Sequence, residues 1–222
     1  CWLDYFVECG PGEYTVRNSF LKIAERNYEI RPYKGKETEL FGYFWTDRNV
    51  YDSQTGIRQQ ATERYLNRHN IWERVESNGE AIPVRFRTAK PIVYHVNPGW
   101  PSPEADPELN AAASSVADSW NTIMVQAVEA TGASAPERMF ILCANNPVKS
   151  GDPAECGGTG NAPRLGDVRY SFLAYISKYM TYGLLGLGPS NTDPETGEIL
   201  SGMAYVYHHN DNAAYDVLEM IE

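Results

Sequence analysis

Four histidines and four cysteines carry most of the metal- and redox-capable chemistry of this 222-residue chain. His208 and His209 are adjacent, with Asp211 and Asp216 close behind, and this is the one local cluster whose residue types suit a metal ion. Neighbouring residues of a strand point to opposite faces, however, so two adjacent imidazoles rarely share one ion. His69 falls on an apolar stripe and reads as a packed, hydrogen-bonded residue rather than a catalytic one. The cysteines form two close pairs, Cys1 with Cys9 and Cys143 with Cys156. The second pair brackets NNPVKSGDPAECGG, a loop rich in Gly, Pro, Asn and Asp with little else to hold it. Loop-stapling disulfides, and hence an oxidising compartment, are the expectation; four reduced, buried thiols are the alternative. Cys1 has a further reading as the acyl-bearing first residue of a mature lipoprotein, which would leave an odd number of thiols. HExxH, CxxC, GxSxG and a GxGxxG opening a helix are all absent, so local chemistry alone marks no active site.

Composition narrows the class. The chain holds 19 basic and 29 acidic residues, a net charge of −10, against the cationic footprint that nucleic-acid binding needs. No apolar run approaches the roughly 20 residues of a membrane span. The charge is uneven: residues 1–90 hold 14 basic and 13 acidic side chains, residues 91–222 hold 5 and 16. That asymmetry suggests a boundary near Pro91, with a region 1–90 and a region 91–222.

The elements that must position any site follow from periodicity. In the first region VRNSFLKI (16–23) is an irregular apolar stretch, and FGYFWTDRNVY (41–51) followed by Asp52-Ser53-Gln54-Thr55-Gly56 is a strand and turn. From Gln59 to Glu76, Tyr65, Leu66, His69, Trp72 and Val75 recur at three- and four-residue spacing and predict a helix. In the second region KPIVYHVN (90–97) reads as a buried strand. Asp106-Pro107 is an N-cap followed by a helix-opening proline. Leu109, Ala113, Val116, Trp120, Ile123, Met124 and Ala127 continue as the stripe of an amphipathic helix of about 25 residues that Gly132 stops. MFILCAN (139–145), DVRYSFLAYIS (167–177) and ILSGMAYVY (199–207) are further strands, the last carrying Gly202 in its middle. The expected fold is α+β: a mixed twisted sheet with one long amphipathic helix packed on it, preceded by a smaller strand-and-helix region.

Four segments, in order, carry a resemblance: PIVYHVNPGWP, the helix containing SSVADSWN (114–121), GDVRYSFLAYIS, and GPSNTDPETGEILSGMAYVY. Together they resemble the front half of metzincin-type zinc metalloproteases, closest to the large metalloprotease-like proteins exported by Gram-negative bacteria. The resemblance spans some 130 residues, and DPETGEIL with its following strand is its most specific part. It implies that a strand and long helix open a catalytic domain and that the DPxTGEI turn introduces an edge strand bordering a substrate cleft. Ser201, Gly202, Met203 and Ala204 would then offer backbone hydrogen bonds to an extended peptide, although Gly202 equally suits a bulge. The HExxHxxGxxH zinc helix of the family lies further downstream, and this sequence reaches Glu222 without one, NDNAAYDVLEMIE (210–222) being the start of the connection to it. The expectation is therefore the N-terminal portion of an exported zinc metalloprotease-like protein, located in the periplasm, at the outer membrane or outside the cell. Zinc comes only with the remaining part, and partners are the rest of its own polypeptide and a peptide substrate. The alternative is a non-catalytic surface or envelope protein, structural or binding, anchored through Cys1; 15 Tyr and 5 Trp suit partner surfaces. A carbohydrate-binding module is a weaker third reading, since no regular all-β pattern accompanies those aromatics.

Overall fold

A hydrophobic strand, a long helix and a return to the neighbouring strand organise the structure. A computed structural model describes residues 16–22, 27–54, 56–177 and 186–207. Its strands are β1 (Trp45–Asp52), β2 (Gly56–Leu66), β3 (Arg68–His69), β4 (Glu76–Ser77), β5 (Glu80–Ala81), β6 (Ile92–Val96), β7 (Phe140–Cys143), β8 (Ser171–Ile176), β9 (Gly186–Leu187), β10 (Ser190–Thr192) and β11 (Glu198–Tyr207). The helices are α1 (Glu37–Leu40), a single turn, and α2 (Pro107–Glu129). The main sheet runs β10-β11-β8-β6-β7, with β3 and β9 also on β11. The neighbours β11–β8, β8–β6 and β6–β7 are parallel, while β10 and β9 are antiparallel to β11. The protein is thus a mixed α+β fold, with one long helix crossing between the parallel neighbours β6 and β7.

Local chemistry accounts for α2. The Asp106 carboxylate accepts from the Leu109 amide at 2.9 Å, Pro107 opens the first turn, and the chain leaves the helix before Gly132, whose φ is 78°. The buried face differs from the expected one. Ala117 and Val128 are buried, with Ala113, Asn121 and Met124 partly so, whereas Val116, Trp120 and Ile123 stay half-exposed or more. Small residues let the helix approach the sheet closely, and the Asn121 side chain accepts from the Met139 amide at 2.7 Å at the entrance to β7. The sheet therefore takes the alanine side of a stripe wider than it can cover, and leaves the larger side chains outside.

The first region departs more from expectation. Residues 56–66 form β2, antiparallel to β1, and 68–69 form β3, so the helix predicted over Gln59–Glu76 is absent. Long-range ladder bonds override the helical spacing there: Trp45 pairs with Leu66, Thr46 with Tyr65, and residues 31–33 add to the other side of β2. Residues 16–22 hold neither helix nor strand. Arg68–His69 pairs in parallel with Glu198–Ile199, so the main sheet takes strands from both sides of Pro91.

A buried cation clasps the first region. Arg87 is 5% exposed; its guanidinium donates to the Glu29 carboxylate at 2.6 Å and to the Ile82 carbonyl at 2.8 Å, and lies over Trp72. The Arg87 hydrogen bond and charge hold the Glu29 carboxyl below its ordinary range. Glu29→Gln leaves that charge without its counter-ion. Because Glu29 is half-exposed and water replaces it in part, the expected loss is about 1–2 kcal/mol in a urea melt. A carboxylate with a lowered folded pKa stabilises above its unfolded pKa, about 4.3. The mutational cost should accordingly fade as pH drops below that value.

The other face of the sheet packs on the loop between β7 and β8. Cys143 and Cys156 are disulfide-bonded with Cα atoms 5.7 Å apart, and both are buried with Ile141 and Val148. More than the disulfide holds this loop. The Asn146 amide spans the Val96 and Pro163 carbonyls at 2.8 and 2.9 Å, and Asn161 donates to the Cys156 carbonyl at 3.0 Å. Cys1 and Cys9 lie outside the described residues.

Candidate functional site

The turn between β10 and β11 is built by its own sequence. The Asp193 carbonyl accepts from the Thr196 and Gly197 amides, its carboxylate accepts from the Glu195 amide at 2.8 Å, and its own amide donates to the Glu198 carbonyl at 2.8 Å. Asp193 and Thr196 are buried. Gly197 has φ 77°, and a Cβ there would stand 2.8 Å from the Leu66 carbonyl, so the turn can dock on the end of β2 only with glycine at this position. The Arg68 amide completes the docking by donating to the Gly197 carbonyl.

Ser201, Gly202, Met203 and Ala204 lie inside the sheet. Ser201 and Gly202 pair with Asn191 and Ser190, while Met203 and Ala204 pair with Phe172 and Leu173. The Met203 amide donates to the Pro189 carbonyl at 2.8 Å, the Gly202 amide to the Ser171 hydroxyl at 2.9 Å, and the Ser201 hydroxyl to the Tyr170 carbonyl at 2.9 Å. The backbone edge expected at these four residues is therefore occupied, because the chain before the turn folds back along β11. Among the described residues the sheet ends on this side at β10. With the Pro189 carbonyl turned toward β11, strand alternation turns the backbone groups of Ser190 outward. Among the described residues, β10 is the strand edge available to an incoming chain.

The irregularity in the β10–β11 ladder falls between Asn191 and Thr192, and Gly202 itself faces Tyr94. A Cβ there would meet the Tyr94 hydroxyl oxygen at 2.1 Å and the His69 Nε2 at 3.4 Å. Tyr94 reaches across β8 onto the bare backbone of β11, and the rings of Tyr94, His69 and Phe140 contact one another in series. Between this floor and α2 lies a cavity of about 350 Å³, lined by His69, Tyr94, Trp120, Met124, Phe140 and Leu173 among others. His69 enters it from β3 rather than from a helix. Burial lowers the His69 pKa and raises that of Tyr94, so both polar groups are neutral at pH 7.

His95, on the opposite face of β6, is 2% exposed, packs edge-on against Tyr170, and has no partner for its Nδ1 atom among the described residues. Its pKa too is lowered by burial. An imidazole that folds neutral stabilises fully above the unfolded pKa of about 6.5, and that stability is lost as pH falls below it. Urea midpoints should therefore decline between pH 7 and pH 5, and His95→Phe should flatten that decline. A slope unchanged by His95→Phe would mean that His95 is not held neutral by burial.

Among the described residues no three His, Cys, Asp or Glu side chains converge as metal ligands. The cluster His208, His209, Asp211 and Asp216 lies outside them. No helix among the described residues is long and apolar enough to cross a membrane. No family model, curated protein or solved structure matches this chain.

Proposed function

We propose that this chain is the N-terminal portion of an exported metzincin-like zinc metalloprotease, supplying the wall that holds an extended peptide rather than the metal that cleaves it. The observation that carries the reading is the β10–turn–β11 unit. Its DPETGEI turn is fixed by five residues of its own sequence, and among the described residues it leaves β10 as a strand edge open to a peptide. Two further observations support it. Strand, long helix and parallel strands stand in the order that the resemblance implies. The cavity and the half-exposed Val116, Trp120 and Ile123 leave an apolar strip beside α2 that a further part of the same polypeptide would cover. In this reading metal chemistry belongs to the HExxHxxGxxH segment that the resemblance puts further downstream. The buried Cys143–Cys156 disulfide suits an exported protein.

The test is the whole polypeptide encoded with this sequence, purified from its source. One zinc per chain and a peptidase activity abolished by a chelator are expected. A zinc-free polypeptide without peptidase activity would instead favour the surface-protein alternative. Within the active protein, Ser190→Pro removes an outward donor from β10 and should raise KM for extended peptides more than it lowers kcat.

A further inference from the structure

Among the described residues Asn78 is the one residue other than glycine with a positive φ, at 53°. Gly79 follows with φ 80°, and the two close the turn between β4 and β5, where Ser77 pairs with Glu80 and Glu76 with Ala81. Two successive positive φ values mark a type I′ hairpin turn, for which Asn-Gly is a favoured pair. Asn78 is also the only asparagine of the sequence that a glycine follows. Both residues are exposed, and among the described residues neither the Asn78 carboxamide nor the Gly79 amide is hydrogen-bonded. Even a Cβ added at Gly79 would meet nothing within 4 Å, so the nitrogen of this peptide bond is unhindered.

We propose that Asn78 is a site of spontaneous deamidation, and that its conversion to isoaspartate loosens the Arg87 clasp of the first region. The Gly79 amide nitrogen bonds to the Asn78 side-chain carbonyl carbon. The bond from that carbon to Nδ2 breaks, and Nδ2 leaves as ammonia with the proton of the Gly79 amide. Water then opens the cyclic imide. Opening at the side-chain carbonyl gives aspartate; opening at the main-chain carbonyl gives isoaspartate, in which the backbone runs through the former side chain. Ring closure turns the backbone at Asn78, so it proceeds from the open hairpin. A two-stranded sheet of two pairs, joined to no other strand among the described residues, opens readily. The consequence reaches past the turn. The Ile82 amide donates to the Val75 carbonyl at 2.9 Å, and the Ile82 carbonyl accepts from Arg87 Nε at 2.8 Å. Isoaspartate lengthens the backbone between Ser77 and Glu80, so the pairs above the turn and the Val75–Ile82 bond cannot all be kept in register. What moves with Ile82 is an acceptor of a buried guanidinium, which is costly to leave unpaired. Aspartate at this position adds only a charge beside Glu76 and Glu80, because Asp-Gly suits the same turn. The inference is independent of the protease reading.

The test ages the full 222-residue chain at mildly alkaline pH and body temperature, with samples taken over weeks. Peptide mapping locates aspartate and isoaspartate, and labelling by an isoaspartyl methyltransferase quantifies the latter. Conversion at Asn78 ahead of every other asparagine is expected, with a urea midpoint that falls in step with the isoaspartate fraction. Asn78→Gly keeps a glycine-compatible turn and has no carboxamide to close the ring, so its midpoint should hold through the same ageing. Freshly prepared Asn78→Asp should keep the wild-type midpoint, which separates the added charge from the added backbone. A folded chain that stays unconverted at Asn78 while the urea-unfolded chain converts would overturn the site. Conversion without a fall in midpoint, or an equal fall in Asn78→Gly, would overturn the link to Arg87.

Discussion

Gly202→Ala is expected to destabilise the protein by about 1–3 kcal/mol, because the new methyl would fall on the Tyr94 side chain with nowhere for the ring to go. The added Cβ would stand 2.1 Å from the Tyr94 oxygen and 3.0 Å from Cζ. The ring cannot swing aside freely, being packed against His69 and Phe140. Nor can β11 withdraw, since Ser201 and Gly202 are tied to β8 through the Tyr170 carbonyl and the Ser171 hydroxyl. Removing the hydroxyl relieves the nearer of the two contacts. Tyr94→Phe should therefore recover part of the loss, and the double variant should be more stable than the two single effects summed. Urea midpoints of the four proteins measure this. A neutral Gly202→Ala would mean that Tyr94 does not lie across β11.

Opening the Cys143–Cys156 bond is expected to cost about 3 kcal/mol, the chain-entropy value for a loop of some 15 residues. The two cysteines are separated by 13 positions and are both fully buried. The entropic figure needs one adjustment. The Asn146 amide bridges and the Asn161 bond continue to hold the loop after reduction, so the reduced protein should stay folded rather than lose the β7–β8 connection. Chemical reduction breaks the bond and keeps the sulfurs, alanine at both positions removes both, and the comparison separates the covalent effect from sulfur burial. Loss of the fold on reduction would show that the polar contacts contribute little. A loss near zero would show that they already restrict the loop as tightly as the bond does.

What was legible in the sequence was local. β6, α2, β7, β8 and β11 all stand where apolar runs, the Asp106-Pro107 cap and Gly132 predict them, because each signal lies within its own element. The miss over Gln59–Glu76 has the opposite cause. Tyr65, Leu66 and His69 sit at helical spacing, yet Tyr65 and Leu66 pair with Thr46 and Trp45 across a hairpin, a contact no short window contains. The face of α2 was misjudged by one step for a related reason. Periodicity puts Val116, Trp120 and Ile123 on one stripe with Ala113 and Met124, whereas the sheet side covers Ala113, Ala117 and Met124 and leaves the other three half-exposed or more. The site follows the same pattern. The DPETG turn was readable from its residues. That β10 rather than β11 holds the open edge depends on the chain folding back along itself, and Ser190-Asn191-Thr192 carries no strand signal of its own. Gly202 was noticed as a glycine in a strand, but its purpose is set by Tyr94, more than a hundred positions earlier in the chain.

The central claim is that this chain forms the peptide-holding front of a larger metzincin-like protease, with the strand edge and the metal on separate segments of one polypeptide. The most direct test is the denatured intact mass of the native polypeptide with its peptide map. A mass well above 24.9 kDa, with an HExxHxxGxxH peptide mapped C-terminal to Glu222, is the result expected. A polypeptide whose map holds no such segment on either side of residues 1–222 would contradict it, and the molecule would then be a binding protein with a protease-like sheet.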